Sequence, residues 1–215
     1  MRYLIINADD FGYSFSVNKG IIEAHTDGVV TSTTVLVDAI AAEEAAKLTQ
    51  YKDLSVGLHF FPDDLDKAGE ELERQVEKFE SFLGRKPDHI DTHKMEPTDD
   101  ERVEKVLREY SQEHRTPIRG FGVKWISSFY GTGEQKEELV SVNELKSAID
   151  EATEEYNEVM CHVGYSDDYL REKSSYNDNR EKELATIKSP EIREYIESKE
   201  DLELCNWNLV REQRF

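Results

Sequence analysis

Short apolar, β-branched runs alternate along this chain with longer charged segments of helical spacing, and no other feature narrows the possible folds as much. The runs are YLIINA (3–8), VVTSTTVLV (29–37), LSVGLHF (54–60), HIDTH (89–93), RGFGVKW (119–125), EVMCHVG (158–164) and LELCNWNLV (202–210). Helical periodicity falls near 15–27, 41–51, 66–83, 99–114, 142–156 and 180–199. Gly28 and Gly84 stand where helices should stop. Thr98 with Glu101, and Ser141 with Glu144, have capping-box spacing, and Pro190 after Ser189 suits a helix start. Strand-helix repetition predicts an α/β fold with a parallel sheet and helical crossovers. About seven strands can form an open doubly wound sheet or a closed barrel. The 215 residues carry no internal repeat or low-complexity linker, so 1–215 reads as a single domain.

Charge limits the partners. The formal net charge of −20 repels phosphate backbones and anionic lipid heads, which argues against nucleic acid and membrane surfaces. Such acidity suits a salty cytoplasm or simple solubility. No run approaches the ~20 apolar residues of a membrane span. The apolar start, MRYLIINADD, is too short for a signal peptide. Two cysteines, Cys161 and Cys205, make no disulfide framework. The expectation is a cytoplasmic protein. Stretches such as EELERQVEKFE read as solvated helix faces.

In a parallel α/β fold, chemistry gathers at the C-terminal ends of strands. Asp9 and Asp10 end the first run, His59 the third, His93 the fourth and His162 the sixth. His25 and His114 fall near helix ends, and His89 opens its strand and should face the opposite end of the sheet. Adjacent aspartates at the end of a buried strand repel each other, and a cation would offset this. Two imidazoles and one carboxylate make a facial triad with open positions for water and substrate. The second aspartate, facing the other way along the pleat, stays free as a base. Asp91 shares a strand face with His93 and can orient a ligand histidine or close a turn.

Other motifs fail. Asp10-Phe11-Gly12 has no glycine-rich loop or lysine strand before it, so a kinase reading is excluded. GTG at 131–133 lacks the second half of a dinucleotide fingerprint, and there is no Gly-x-Ser-x-Gly elbow. Cys161 and His162 are strand neighbours facing opposite ways, which disfavours a Cys-His pair.

NADDFGYS, GIIEAHTDGVVTSTTVLV, GLHF, GRKPDHIDTH, SSFYG and MCHVG resemble, in that order, the YdjC/ChbG family of carbohydrate deacetylases, over nearly the whole chain. The resemblance implies a distorted (β/α) barrel, one divalent metal ion such as magnesium or zinc, and hydrolysis of an N-acetyl group from an amino sugar or short chito-oligosaccharide. Asp10, His59 and His93 match the metal ligands, Asp9 the base, and His162 stands as the general acid, protonated before it donates to the amine. It also makes a homo-oligomer plausible. Tyr130 is a candidate to stack on a sugar or a rim aromatic. Arg180, in an Arg-x-x-Glu-Leu stretch like the family's, either pairs with Asp9 or stands exposed at a helix start. The chain departs from the pattern at Met95 and Pro97, where relatives usually carry histidines, and in a short segment after His59. Both changes point to a different or smaller acetylated sugar. Two further readings share the site: hydrolysis of another amide or of a phosphoester, and sugar binding without turnover. No glycine-rich phosphate cradle supports the phosphoester. Retention of the base and acid candidates argues against a silent site.

Overall fold

The computed structural model describes residues 1–130 and 137–215; the GTG at 131–133 lies outside the described residues. Seven strands are joined by helices: β1 (Arg2–Phe11), α1 (Phe15–Thr26), β2 (Ser32–Val35), β3 (Ser55–Phe60), α2 (Ala68–Leu83), β4 (Ile90–Thr92), α3 (Glu101–His114), β5 (Lys124–Ile126), α4 (Val142–Asp150), β6 (Tyr156–Cys161), α5 (Asp168–Lys173), α6 (Asp178–Ile187), α7 (Pro190–Glu197), β7 (Leu202–Leu204) and α8 (Trp207–Arg214). The sheet runs β4-β3-β2-β1-β6-β5, with every pairing parallel. It curls into a distorted half-barrel with helices around it, as the strand-helix alternation predicts.

β1 organises the sheet. Residues 3–8 pair with β6 along one edge. On the other edge, residues 2–4 pair with β7 and residues from Asn7 onward pair with β2. A strand buried on both sides has no solvated face, and Leu4, Ile5, Ile6 and Ala8 are fully buried. Beyond β4 the chain makes one more parallel bridge, Ile90 with Ile118, which carries Arg119 to the inside of the curl.

Several local expectations hold. Ser141 caps α4 by accepting from Glu144 N at 3.3 Å, and Pro190 opens α7 after Ser189. Gly84 ends α2 in the left-handed region at φ +69°. Others are corrected. The cap of α3 is Asp100, whose carboxylate accepts from Arg102 N at 3.0 Å, and not Thr98. The last apolar run is a strand only over Leu202–Leu204. Asn206 then caps α8, and Trp207 and Val210 turn inward at helical spacing. The 41–51 segment is a 3-10 helix over Ala42–Gln50. The 180–199 segment splits in two at Pro190, which has no N–H to continue the ladder.

Candidate active site

The sequence brings two aspartates to the end of β1, and the backbone decides where they point. Asp10 is left-handed at φ +72°, and the β1–β2 register slips between Ala8 and Phe11. A side chain pays for that region with strain that asparagine and aspartate tolerate best. The turn is held from below: Asn18, buried in α1, accepts the Gly12 N–H at 2.5 Å and donates to Ala41 O at 3.0 Å. The bulge breaks the pleat, so Asp9 and Asp10 do not face opposite ways. Both line one cavity of about 630 Å³, together with His59, His93, His162 and Arg180.

Asp10 Oδ1, His59 Nε2 and His93 Nδ1 converge. The two nitrogens are 3.1 Å apart, and the oxygen lies 3.4 Å from His59 and 3.3 Å from His93. Ligand atoms about 2.0–2.1 Å from a shared ion, at angles between octahedral and tetrahedral, stand about 2.8–3.4 Å apart. The triangle therefore fits one face of a cation's coordination sphere. Asp10 Oδ1 is buried without a hydrogen-bond partner, which is the second mark of such a site. Nitrogen-rich donors favour zinc, iron, cobalt or nickel over magnesium.

The supporting contacts orient the triad. His59 Nδ1 faces Asp91 Oδ1 at 2.6 Å. An ionised carboxylate only accepts, so Nδ1 keeps its proton, and Nε2 is the nitrogen that faces the triangle and gives up its proton when a cation binds. Asp91 thus serves His59 and not its strand neighbour His93. It also accepts from Thr34 Oγ1 at 2.9 Å. Burial opposes a charge on His59, but Asp91, Asp10 and Asp9 outweigh it and lift the imidazole to about 10. Burial likewise opposes ionisation of Asp10. The guanidinium of Arg180, 2.6 Å from Oδ2, and the two histidines outweigh it and hold Asp10 well below the usual carboxylate range. Arg180 is buried, so the exposed helix-start reading fails, and its partner is Asp10 in place of Asp9.

The partner of Asp9 is Arg119, which the sequence reading left inside a strand. Its fork donates to Asp9 Oδ2 at 2.8 Å and Oδ1 at 2.7 Å. The same guanidinium reaches Glu158 at 2.8 Å and lies 2.8 Å from Asp91. All four residues are buried. Burial raises the Asp9 carboxyl, and Arg119 reverses this and holds it ionised. Glu158 is pushed up to about 7 by burial, which Arg119 only partly offsets. Asp9, His59 and Asp91 also offer clustered donor atoms, but Arg119 already supplies the positive charge there.

His162 lines the cavity with Tyr130 tilted against its ring at 4.6 Å and Tyr176 at 5.7 Å. Tyr130 is thus a half-buried wall aromatic packed on His162 and Tyr176. Buried Glu183 accepts the His162 N–H at 2.5 Å and the Tyr176 hydroxyl. Burial pushes His162 down to about 4, against the attraction of Asp10 and Asp9. The resting imidazole is therefore neutral near pH 7. Two signals for the missed residues were present. Glu158, Met160 and His162 follow a period of two, placing a carboxylate on the face that carries the histidine. Arg180 and Glu183 are three apart on α6 and so share a helix face.

His25, at the end of α1, meets Val30 O at 2.9 Å. His89 lies below the site, stacked on Trp207 at 4.6 Å. No helix among the described residues is long and apolar enough to cross a membrane.

Known proteins share this arrangement of elements. The chain is 35% identical over 231 residues to a carbohydrate deacetylase of Geobacillus stearothermophilus, covering 89% of this chain and 91% of that one. It is 30% identical to a chitooligosaccharide deacetylase of Serratia marcescens, covering 91% and 94%. A crystal structure from Enterococcus faecalis V583, of a protein with a proposed role in cellobiose-phosphate cleavage, superposes with a TM-score of 0.81. The two are 25% identical, and the match covers 97% of this chain and 98% of that one. The family model for YdjC-like protein matches residues 3–61 and 61–198, and the chain belongs to that family.

Proposed function

We propose that this protein is a metal-dependent hydrolase that removes the N-acetyl group from an amino sugar or a short chito-oligosaccharide. The observation that carries the reading is the convergence of a metal-fitting triad, an ionised aspartate and a neutral histidine on one cavity. Its relatives named as carbohydrate deacetylases support the bond type.

Asp10, His59 and His93 hold the cation, which when bound acidifies water and polarises the acyl oxygen. Asp91 keeps His59 in the tautomer that can bind. Asp9, kept ionised by Arg119, accepts the proton of the attacking water. His162 delivers a proton to the departing amine, which is a poor leaving group without one. The acidities support this order. Asp9 lies well below the carboxylate range, His162 sits near 4, and an amine lies higher still, near 8. Because His162 rests neutral, its proton arrives during turnover.

Met95 and Pro97 line the same cavity. They present apolar surface where the family pattern has histidines, which favours a substrate with fewer polar contacts at that wall. A cavity of about 630 Å³ suits a small sugar.

The test is acetate release by metal-stripped protein from N-acetylglucosamine, diacetylchitobiose and other N-acetylated sugars, with zinc, magnesium or cobalt added back. Asp9→Asn and His59→Ala proteins run alongside. Metal-dependent release lost in both variants supports the reading. Metal bound through His59 with no acetate from any sugar refutes the substrate class.

A further inference from the structure

Eleven buried side-chain polar atoms have no hydrogen-bond partner among the described residues, and four belong to residues lining the candidate active-site cavity: Asp10 Oδ1, Trp125 Nε1, His162 Nδ1 and Arg180 Nη1. Asp10 Oδ1 belongs to the metal triangle. Arg180 is the unexpected member. Its other nitrogens are engaged, Nη2 with Asp10 Oδ2 at 2.6 Å and Nε with Tyr176 O at 2.9 Å. Tyr13 and Tyr176 flank the guanidinium carbon, each with its ring centroid 5.7 Å away. The fork is therefore fixed in place, and it is buried at 2% exposure. A charged donor in such a place without an acceptor is rare, because desolvating it unpaired is unfavourable.

Position gives the acceptor. The Asp10 carboxylate faces the metal triangle with Oδ1 and Arg180 with Oδ2. A cation and the guanidinium thus sit side by side along one carboxylate. A substrate oxygen that gathers negative charge at this edge meets both. A planar fork with one arm already fixed suits an sp² oxygen or a carboxylate.

We propose that Arg180 is a catalytic residue whose free Nη1–H donates to the acyl oxygen of the substrate in the transition state and to the acetate product afterwards. The proposal rests on the deacetylase reading for its substrate, but the acetate site itself does not. Holding Asp10 in place is a separate duty of the same side chain, carried by Nη2. A lysine at 180 retains the charge beside Asp10 and loses the second arm of the fork.

The experiment uses cobalt-loaded protein, because the visible spectrum of the ion reports metal affinity and acetate binding separately, without turnover. Sodium acetate is titrated into wild type and Arg180→Lys. The expected result is cobalt affinity within about threefold of wild type, with acetate affinity lower by roughly ten- to hundredfold. Acetate release from the best N-acetyl sugar should fall about a hundredfold in kcat, with a smaller change in KM. If acetate binds Arg180→Lys as it binds wild type, the proposal is overturned and Arg180 only supports Asp10. Should the lysine disturb the fold, as judged by cobalt affinity and circular dichroism, Arg180→Gln is titrated in the same way under the same criterion. Acetate binding that depends on Arg180 in a protein that deacetylates no sugar upholds the acyl-anion site and removes the deacetylase reading instead.

Discussion

Replacing Arg119 with methionine tests the electrostatic core of the site. The guanidinium touches Asp9 at 2.7 and 2.8 Å, Glu158 at 2.8 Å and Asp91 at 2.8 Å, with every partner buried. Methionine fills much of the volume but leaves three carboxylates facing one another. They must stay charged in a poorly solvated space or take up protons. At pH 8, neutralising a carboxyl of ordinary acidity takes about 5 kcal/mol, from 1.36 kcal/mol per pKa unit. Glu158, already near 7, takes a proton for about 1–2 kcal/mol. Removing one partner from a buried ionic cluster typically destabilises by about 3–5 kcal/mol, and that is the loss expected at pH 8. Urea denaturation with a slope of about 2–3 kcal/mol per molar should show a midpoint lower by about 1–2.5 M. Without Arg119 the variant's buried carboxyls have pKa values raised above their unfolded values, so protonation favours its folded state. The gap to wild type must therefore narrow between pH 8 and pH 5, towards about 1–3 kcal/mol. A loss below about 1 kcal/mol at pH 8, or a gap independent of pH, refutes the assignment of Arg119 as the counter-charge.

Three further outcomes follow from the same geometry. Asp91→Asn cannot accept from His59 Nδ1 as a carboxylate does, so metal affinity should fall about 10–100-fold by calorimetry while the fold persists. Glu158 and Glu183 both titrate near 7 against an ordinary 4.5, burial being the first cause in each. The folded chain keeps protons there that the unfolded chain has lost, so stability should fall as pH rises from 4.5 to 7 and level off above. Each group contributes on the order of 1–3 kcal/mol, and Glu183→Gln should flatten the slope in urea titrations. A methyl at Gly57 would meet the His89 ring at 2.4 Å, and that ring is stacked on Trp207 and cannot move aside. Gly57→Ala should lose at least about 1–3 kcal/mol by thermal denaturation, and an unchanged melting temperature would contradict the packing.

Much of this protein was legible from order alone. Alternating apolar runs and charged periodic segments set a parallel α/β sheet, because only buried parallel strands need such runs and only crossovers need such helices. Strand ends named Asp9, Asp10, His59, His93 and His162, since each lies just past an apolar run and parallel sheets place those ends together. Asp91 was legible as a carboxylate set to meet a histidine, though the one it meets, His59, stands on the neighbouring strand. Tertiary structure alone decided the charge pairing. Arg119 lies 110 residues from Asp9, and Arg180 lies 170 from Asp10, and nothing local couples them. The orientation of Asp10 depends on a left-handed residue in a bulge, which no periodicity encodes. The neutral state of His162 follows from its surroundings in the folded chain. Patterning along a chain records which residues are inside, whereas the acidity and partner of a buried charge depend on what the fold sets beside it.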